Sequence, residues 1–250
     1  MSAGPFLETK SVTKKFGDFT AVRDVSMEFR EGELTAIIGP NGAGKSTYFN
    51  LLSGAFAPTS GQVIFQGRDI TGTPQHLYTH MGIAKSFQIT TVFPQLNVFE
   101  NVRLASQART VTFDMFRPRT SYKIVTEAAE QILRQVNLLH QRDQMAARLS
   151  HGEQRSLEIG MALAADPRLL LLDEPTAGMS PEETREMIDL IVKLAADRTV
   201  ILVEHKMKLV MSICKKIIVL HQGELLAAGL PDDVKRNDTV KRVYLGQRAV

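Results

Sequence analysis

The stretch LTAIIGPNGAGKSTYFNLL, residues 34–52, decides the fold. Residues 34–38 are apolar and read as a short buried strand, and residues 47–52 open a helix. Between them Gly39, Pro40, Asn41, Gly42, Ala43, Gly44, Lys45, Ser46 and Thr47 fit the pattern G-x-x-x-x-G-K-[ST]. The strand–loop–helix order is the context in which that pattern has chemical meaning. Glycines without a Cβ let backbone N–H groups curl around phosphate oxygens. The helix after the loop presents free N–H groups and a positive dipole end to an anion. Lys45 is placed for the β- and γ-phosphates, and the Ser46 hydroxyl suits Mg²⁺, a hard cation that prefers oxygen.

Composition sets the frame around this loop. The chain has 250 residues, enough for one large domain, and 44% hydrophobic content supplies an ordinary globular core. The net charge of +3 comes from scattered Lys and Arg, a pattern that favours no nucleic-acid partner. Cys214 is the one cysteine, so no intrachain disulfide forms and a reducing, cytoplasmic setting is expected. No apolar run reaches the length of a membrane span, and MSAGPFLETK lacks a secretory apolar region. Any membrane role is therefore expected to come through a partner.

Strands are expected at residues 6–12 and 21–29 around a turn at 14–18, at 62–65, 68–70 and 83–87, and at 169–172, 199–203, 216–220 and 224–228. Helices are expected at 74–80, 97–108, 122–139, 149–165, after Ser180, at 207–214, and at 231–235 and 239–245. Residues 110–121 read as an irregular, partly basic connection.

A second element stands at LLLLDEP, residues 169–175. A buried strand delivers Asp173 and Glu174 at its C-terminal end, where open α/β sheets bind ligands. Asp173 suits Mg²⁺ through water, and Glu174 is a candidate base for a water attacking the γ-phosphate. The third is LSHGEQR, residues 149–155. Read alone, Ser150 and Glu153 form a capping box at a helix start; the same helix N-terminus is also a candidate second phosphate site.

The order of these motifs over essentially the whole chain resembles the ATP-binding subunits of ABC transporters. The phosphate loop (Walker A), a Gln at a strand end, an LSxGE-type signature, the apolar strand into Asp-Glu-Pro and a late His succeed one another in family order. The resemblance implies a P-loop α/β fold, with a mostly parallel core sheet, an antiparallel N-terminal β region and an inserted helical subdomain. It implies one domain over 1–250, with its core at 1–89 and 156–250, a subdomain at about 90–155 and a helical tail at 231–250. It implies a Mg²⁺-dependent ATPase in which Phe16 stacks on adenine and Gln88 touches Mg²⁺ or the lytic water. Ser150 and Gly152, beside Glu153, would contact the γ-phosphate held by the opposite subunit of a head-to-tail dimer. His205 would contact the γ-phosphate as a switch residue. Taken without the family, Phe16 reads equally as a core aromatic and His205 as a structural histidine.

LSHGEQRSLEIGMAL, DEPTAGMSPEET, VEHKMKLVM and VKRVYLG resemble the ATPases of branched-chain amino-acid importers. The basic, Phe-rich connection at 113–119 falls where that subgroup carries extra sequence. Urea or short-chain amide importers and lipopolysaccharide export are the neighbouring readings, and after them a soluble non-transport ATPase. Expected partners are transmembrane permeases, a second copy or a similar second ATPase, and indirectly a periplasmic binding protein. The expected location is the inner face of the cell membrane. The chain departs from the commonest pattern at His151 (usually Gly), Glu153 (usually Gln) and Ser180 (often Asp).

Overall fold

In the computed structural model residues 4–86, 92–110 and 120–245 are described. Strands β1 (Leu7–Phe16), β2 (Phe19–Phe29) and β3 (Leu34–Ile38) precede helix α1 (Lys45–Leu52). Next come β4 (Ser60–Phe65), β5 (Arg68–Asp69), α2 (Gln75–Tyr78), β6 (Ile83–Ser86), α3 (Val98–Thr110), α4 (Thr120–Gln135) and α5 (His151–Leu163). The chain continues through β7 (Leu169–Asp173), α6 (Pro181–Leu194), β8 (Thr199–Val203), α7 (Met207–Ile213), β9 (Lys216–His221) and β10 (Glu224–Gly229). Helices α8 (Pro231–Arg236) and α9 (Asp238–Leu245) close the described part.

One sheet has the order β10-β9-β3-β8-β7-β6 and is parallel except for the β10–β9 pair. Every residue of β3, β7 and β8 is buried. Strands covered on both faces read as continuous apolar runs rather than as alternation. Successive side chains nonetheless part to opposite faces. Leu170, Leu172, Val200 and Leu202 join the core under α5 and α6, while Leu169, Leu171, Ile201 and Val203 join the core around α1. The Asp173 end of β7 is thus delivered to the edge from which the β3 loop also springs.

The second sheet, β2-β1-β4-β5, is antiparallel. It lays Leu7, Val12, Val25, Phe29 and Phe65 over Phe49, Leu51 and Leu52 of α1. Strand β1 runs past the expected end at residue 12 and pairs Phe16 with Phe19, so the turn shrinks to Gly17-Asp18. Helix α4 starts at Thr120, inside the expected irregular connection, and stops before Leu139. Asn137 takes φ 58°, and its neighbour Leu138 bonds back to the Leu133 carbonyl at 2.8 Å. That left-handed residue closes the helix where the apolar period alone would have run on. Helix α1 begins at Lys45, earlier than expected, and α5 spans a shorter range than 149–165. Gln88 and the connection 113–119 lie outside the described residues.

Helix α1 starts on Gly44 at φ 92°, and a Cβ there would meet the Ala21 carbonyl oxygen at 2.5 Å and Gly223 Cα at 3.2 Å. Gly42 also has a positive φ, 78°, but open space around it. Gly42→Ala should therefore cost roughly the left-handed penalty alone, about 1–2 kcal/mol. Gly44→Ala adds a backbone collision and should cost more and abolish nucleotide binding; paired urea melts and nucleotide titrations of the two variants check the difference. Leu171→Ala, at a fully buried site, should lose about 2–5 kcal/mol in the same melts with the slope unchanged.

Candidate functional site

The end of the loop between β3 and α1 and the first turn of α1 line a cleft of about 200 Å³ with Gly42, Ala43, Gly44, Lys45, Ser46 and Thr47. Helix α1 has no side-chain cap and no acid in its first turn. Its N-terminal donors and dipole thus face the cleft without a carboxylate of their own. Lys45 Nζ donates to the Gly39 and Pro40 carbonyls, both at 2.9 Å, so the loop wraps its own cation. Burial pushes the Lys45 ammonium below its ordinary pKa, opposed by the charges of Glu174 and Asp173. A phosphate arriving here would relieve that desolvation.

The carboxylates stand at the end of β7. Asp173 is buried, and its Oδ1 has no hydrogen-bond partner among the described residues. Burial raises its pKa; Lys85 opposes the rise, Glu174 adds to it, and Arg155 and His205 oppose it more weakly. Glu174 takes φ 46°, a left-handed conformation that costs roughly 1–2 kcal/mol for a residue with a Cβ. The turn gives Glu174 a direction different from that of Asp173 and brings its Oε1 to 2.5 Å from His205 Nε2. His205 comes after β8, and its backbone N–H donates to Glu204 Oε2 at 3.0 Å. Glu204 Oε1 accepts from Thr176 N (3.1 Å) and from Thr176 Oγ1 (2.6 Å).

The N-terminus of α5 is built differently. Ser150 Oγ accepts from Glu153 N at 3.3 Å, and Ser150 N donates to Glu153 Oε2 at 2.8 Å. The expected capping box is therefore present. His151 Nε2 lies 3.1 Å from the Ala177 carbonyl oxygen, and Gly152 N donates to Glu183 Oε1 at 2.9 Å. Farther along α5, Arg155 donates to the Asp173 carbonyl at 2.8 Å and pairs with Glu158 at 2.7 Å.

The structure therefore brings Lys45, Asp173, Glu174 and His205 into one electrostatic neighbourhood. Gly39 to Thr47 forms the loop itself. Ser150, Gly152 and Glu153 stand apart from that cleft, with the segment after β7 as their neighbours. Phe16 is half-exposed and meets Phe56 edge-on at 5.5 Å, with Lys14 Nζ 5.2 Å from its ring. Phe19, 67% exposed beside the hairpin turn, lines the cleft together with Ala21. Sequence reasoning missed Phe19, Glu204 and Arg155, and it read Glu183 only as the cap partner of Ser180, without its bond to Gly152. For Glu204 a signal existed: a carboxylate ending a wholly apolar strand must find donors.

Comparison with known proteins agrees with this geometry. A family model described as ABC transporter matches residues 22–177. The high-affinity branched-chain amino acid transport ATP-binding protein LivG of Salmonella typhimurium is 38% identical, covering 97% of this chain and 98% of its own. BraF of Pseudomonas aeruginosa, described in the same words, is 39% identical over the same shares. The crystal structure of the ADP conformation of MJ1267, an ATP-binding cassette of an ABC transporter, superposes with a TM-score of 0.86 at 30% identity, covering 97% of this chain and 99% of that one. Loop, β7 carboxylates and relatives converge: the chain belongs to the ABC transporter family, among its ATP-binding subunits.

Proposed function

We propose that this chain is the Mg²⁺-dependent ATPase that powers import of branched-chain or related hydrophobic amino acids through separate permease subunits. The observation that carries the catalytic part is the Glu174–His205 contact of 2.5 Å beside Asp173 and Lys45. The importer part rests on the transport named for the LivG and BraF relatives.

The residues present fit the cofactor. Asp173 offers a buried oxygen still lacking a partner among the described residues, Ser46 lines the cleft, and Mg²⁺ takes such oxygens together with phosphates. Bound there with Gln88 as a further ligand, it would neutralise charge on the β- and γ-phosphate oxygens. Lys45 would exchange the Gly39 and Pro40 carbonyls for phosphate oxygens. Glu174, oriented by His205, would take the proton from the attacking water as the new O–P bond forms and the bond to ADP breaks. Phe16 would meet the adenine. Ser150 and Gly152 of an opposing subunit, a second copy or a similar ATPase, would complete the site, with Glu153 shaping that helix start.

We infer the organisation expected from the sequence: a core at 1–89 and 156–250, a helical subdomain at about 90–155 and a tail at 231–250. A cleft of about 460 Å³, lined by Tyr78, Lys85, Ala105, Glu158 and Met161 among others, would receive a permease helix. Among the described residues no helix is long and apolar enough to cross a membrane. The chain would sit on the inner membrane face through its permease, with a periplasmic binding protein as an indirect partner.

Glu174→Gln should retain ATP binding and slow phosphate release by roughly 10²–10⁴-fold, the usual worth of a general base. Lys45→Ala should lose ATP binding. Both are read by nucleotide titration and a phosphate-release assay; unchanged turnover in Glu174→Gln would remove the base assignment. Reconstituted with the permeases that co-purify, the wild-type chain should drive ATP-dependent leucine uptake. Uptake of urea or short amides in its place would overturn the substrate.

A further inference from the structure

Two helices whose starts lie side by side, α5 and α6, each open with a complete capping box. In the α6 box Glu183 N donates to Ser180 Oγ at 3.2 Å, and Ser180 N donates to Glu183 Oε2 at 3.0 Å. One carboxylate oxygen satisfies that box. The other, Oε1, leaves its own helix and accepts the Gly152 N–H of α5 at 2.9 Å. The backbone N–H groups of Ser180 and Gly152, and then the Ser150 hydroxyl, hold the Glu183 pKa down to about 2. A Cβ on Gly152 would stand 3.0 Å from both Cγ and Oε1 of Glu183, so any larger residue there would push the Glu183 side chain back by a few tenths of an ångström.

The two helix starts assigned to phosphate are thus in opposite conditions. That of α1 carries no acid and no side-chain cap. That of α5 already holds an anion, supplied by its own chain, on the Gly152 N–H. A phosphate oxygen reaching that donor would compete for the same hydrogen bond and stand against the Glu183 charge. Both effects oppose its entry in a partly desolvated contact. Glu183 can release Gly152 without unwinding α6, because Oε2 remains anchored by Ser180.

We propose that Glu183 is a positioning residue that occupies the Gly152 N–H of its own α5 and has to leave it before an opposing subunit's γ-phosphate is held there. The inference rests on the assignment of Ser150 and Gly152 as contacts across the dimer. Nucleotide engagement then becomes an exchange of one anion for another. Glu183 sets the ATP concentration at which the two subunits close, while the phosphate loop sets the affinity of the open one.

The test uses the assembled transporter and two conservative variants of this chain. Glu183→Gln keeps the length and an acceptor but removes the charge. Glu183→Asp keeps the charge and can still close the α6 box, but is one methylene short of Gly152. Either change should lower the KM for ATP, by up to roughly tenfold for a lost charge-assisted contact, with kcat at or above that of the wild type. A residue that merely braced α5 against α6 would lower kcat and the melting temperature and leave KM unchanged or raised. KM unchanged or raised in both variants overturns the proposal; KM lowered in either supports it. Ser150→Ala separates the two levels: full activity there would overturn the cross-dimer contact itself, whatever Glu183 does, whereas a loss there with no fall in KM from Glu183 variants would overturn this inference alone.

Discussion

The buried Glu204 carboxylate is the constraint on which the reactive end of the molecule depends. It stands at the end of β8 and is 3% exposed, so its charge must be met by donors. Those donors are Thr176 N, Thr176 Oγ1, His205 N and, more distantly, Lys206 N. One oxygen serves the turn after β7 and the other the turn after β8. The two strands are already neighbours in the sheet, with Asp173 in register with Val203. Glu204 fixes the relative placement of the two turns at their ends, and that is why Glu174 and His205 meet. Hydrogen bonds to a charged group are worth about 1.5–3 kcal/mol each. That is comparable to the roughly 1–2 kcal/mol stored in the left-handed backbone of Glu174, so the turn can hold its strain.

Arg155 extends the same logic to α5. It is largely buried, pairs with Glu158 and donates to the Asp173 carbonyl. A buried ion pair adds little net stability, but losing one half is costly because the other is left buried and uncompensated. The helix that begins at His151 is thereby keyed to the end of β7 at one point, and to the segment after β7 at two more, through Ala177 and Glu183. Sheet edge and α5 behave as one frame, built from polar contacts at the margin of two apolar cores.

The features that the sequence discloses and those it hides divide along one line. The phosphate loop, the β7 run and the caps at Ser150 and Ser180 are legible because each is local: residue types within a few positions dictate the backbone. Buried strands are legible by length and flanks, since their faces part only in three dimensions. The Glu183–Gly152 bond spans 31 residues and the Glu204–Thr176 bonds span 28, and neither has a local signature. The end of α4 is misread from sequence for the converse reason. Ile132, Leu133 and Val136 satisfy a helical period that Leu139 continues, but Asn137 tolerates the left-handed region and ends the helix. Phe19 escapes notice because an aromatic at a hairpin mouth is ordinary until the loop it faces is known.

The departures from the common signature acquire a physical meaning in this frame. His151 can reach the Ala177 carbonyl, a contact that a glycine at that position has no side chain to make. Ser180 caps α6 as an aspartate could, but without adding to the charges of Glu182 and Glu183 in the first turn. With Asp at the cap, a third carboxylate would join the α6 N-terminus and oppose the approach of Glu183 to the backbone N–H of residue 180. Serine leaves the box neutral at its cap, so the charge of Glu183 is free to turn toward Gly152. His151 thus ties the start of α5 to the segment after β7 directly, whereas Ser180 acts on it only through the Glu183 that it caps.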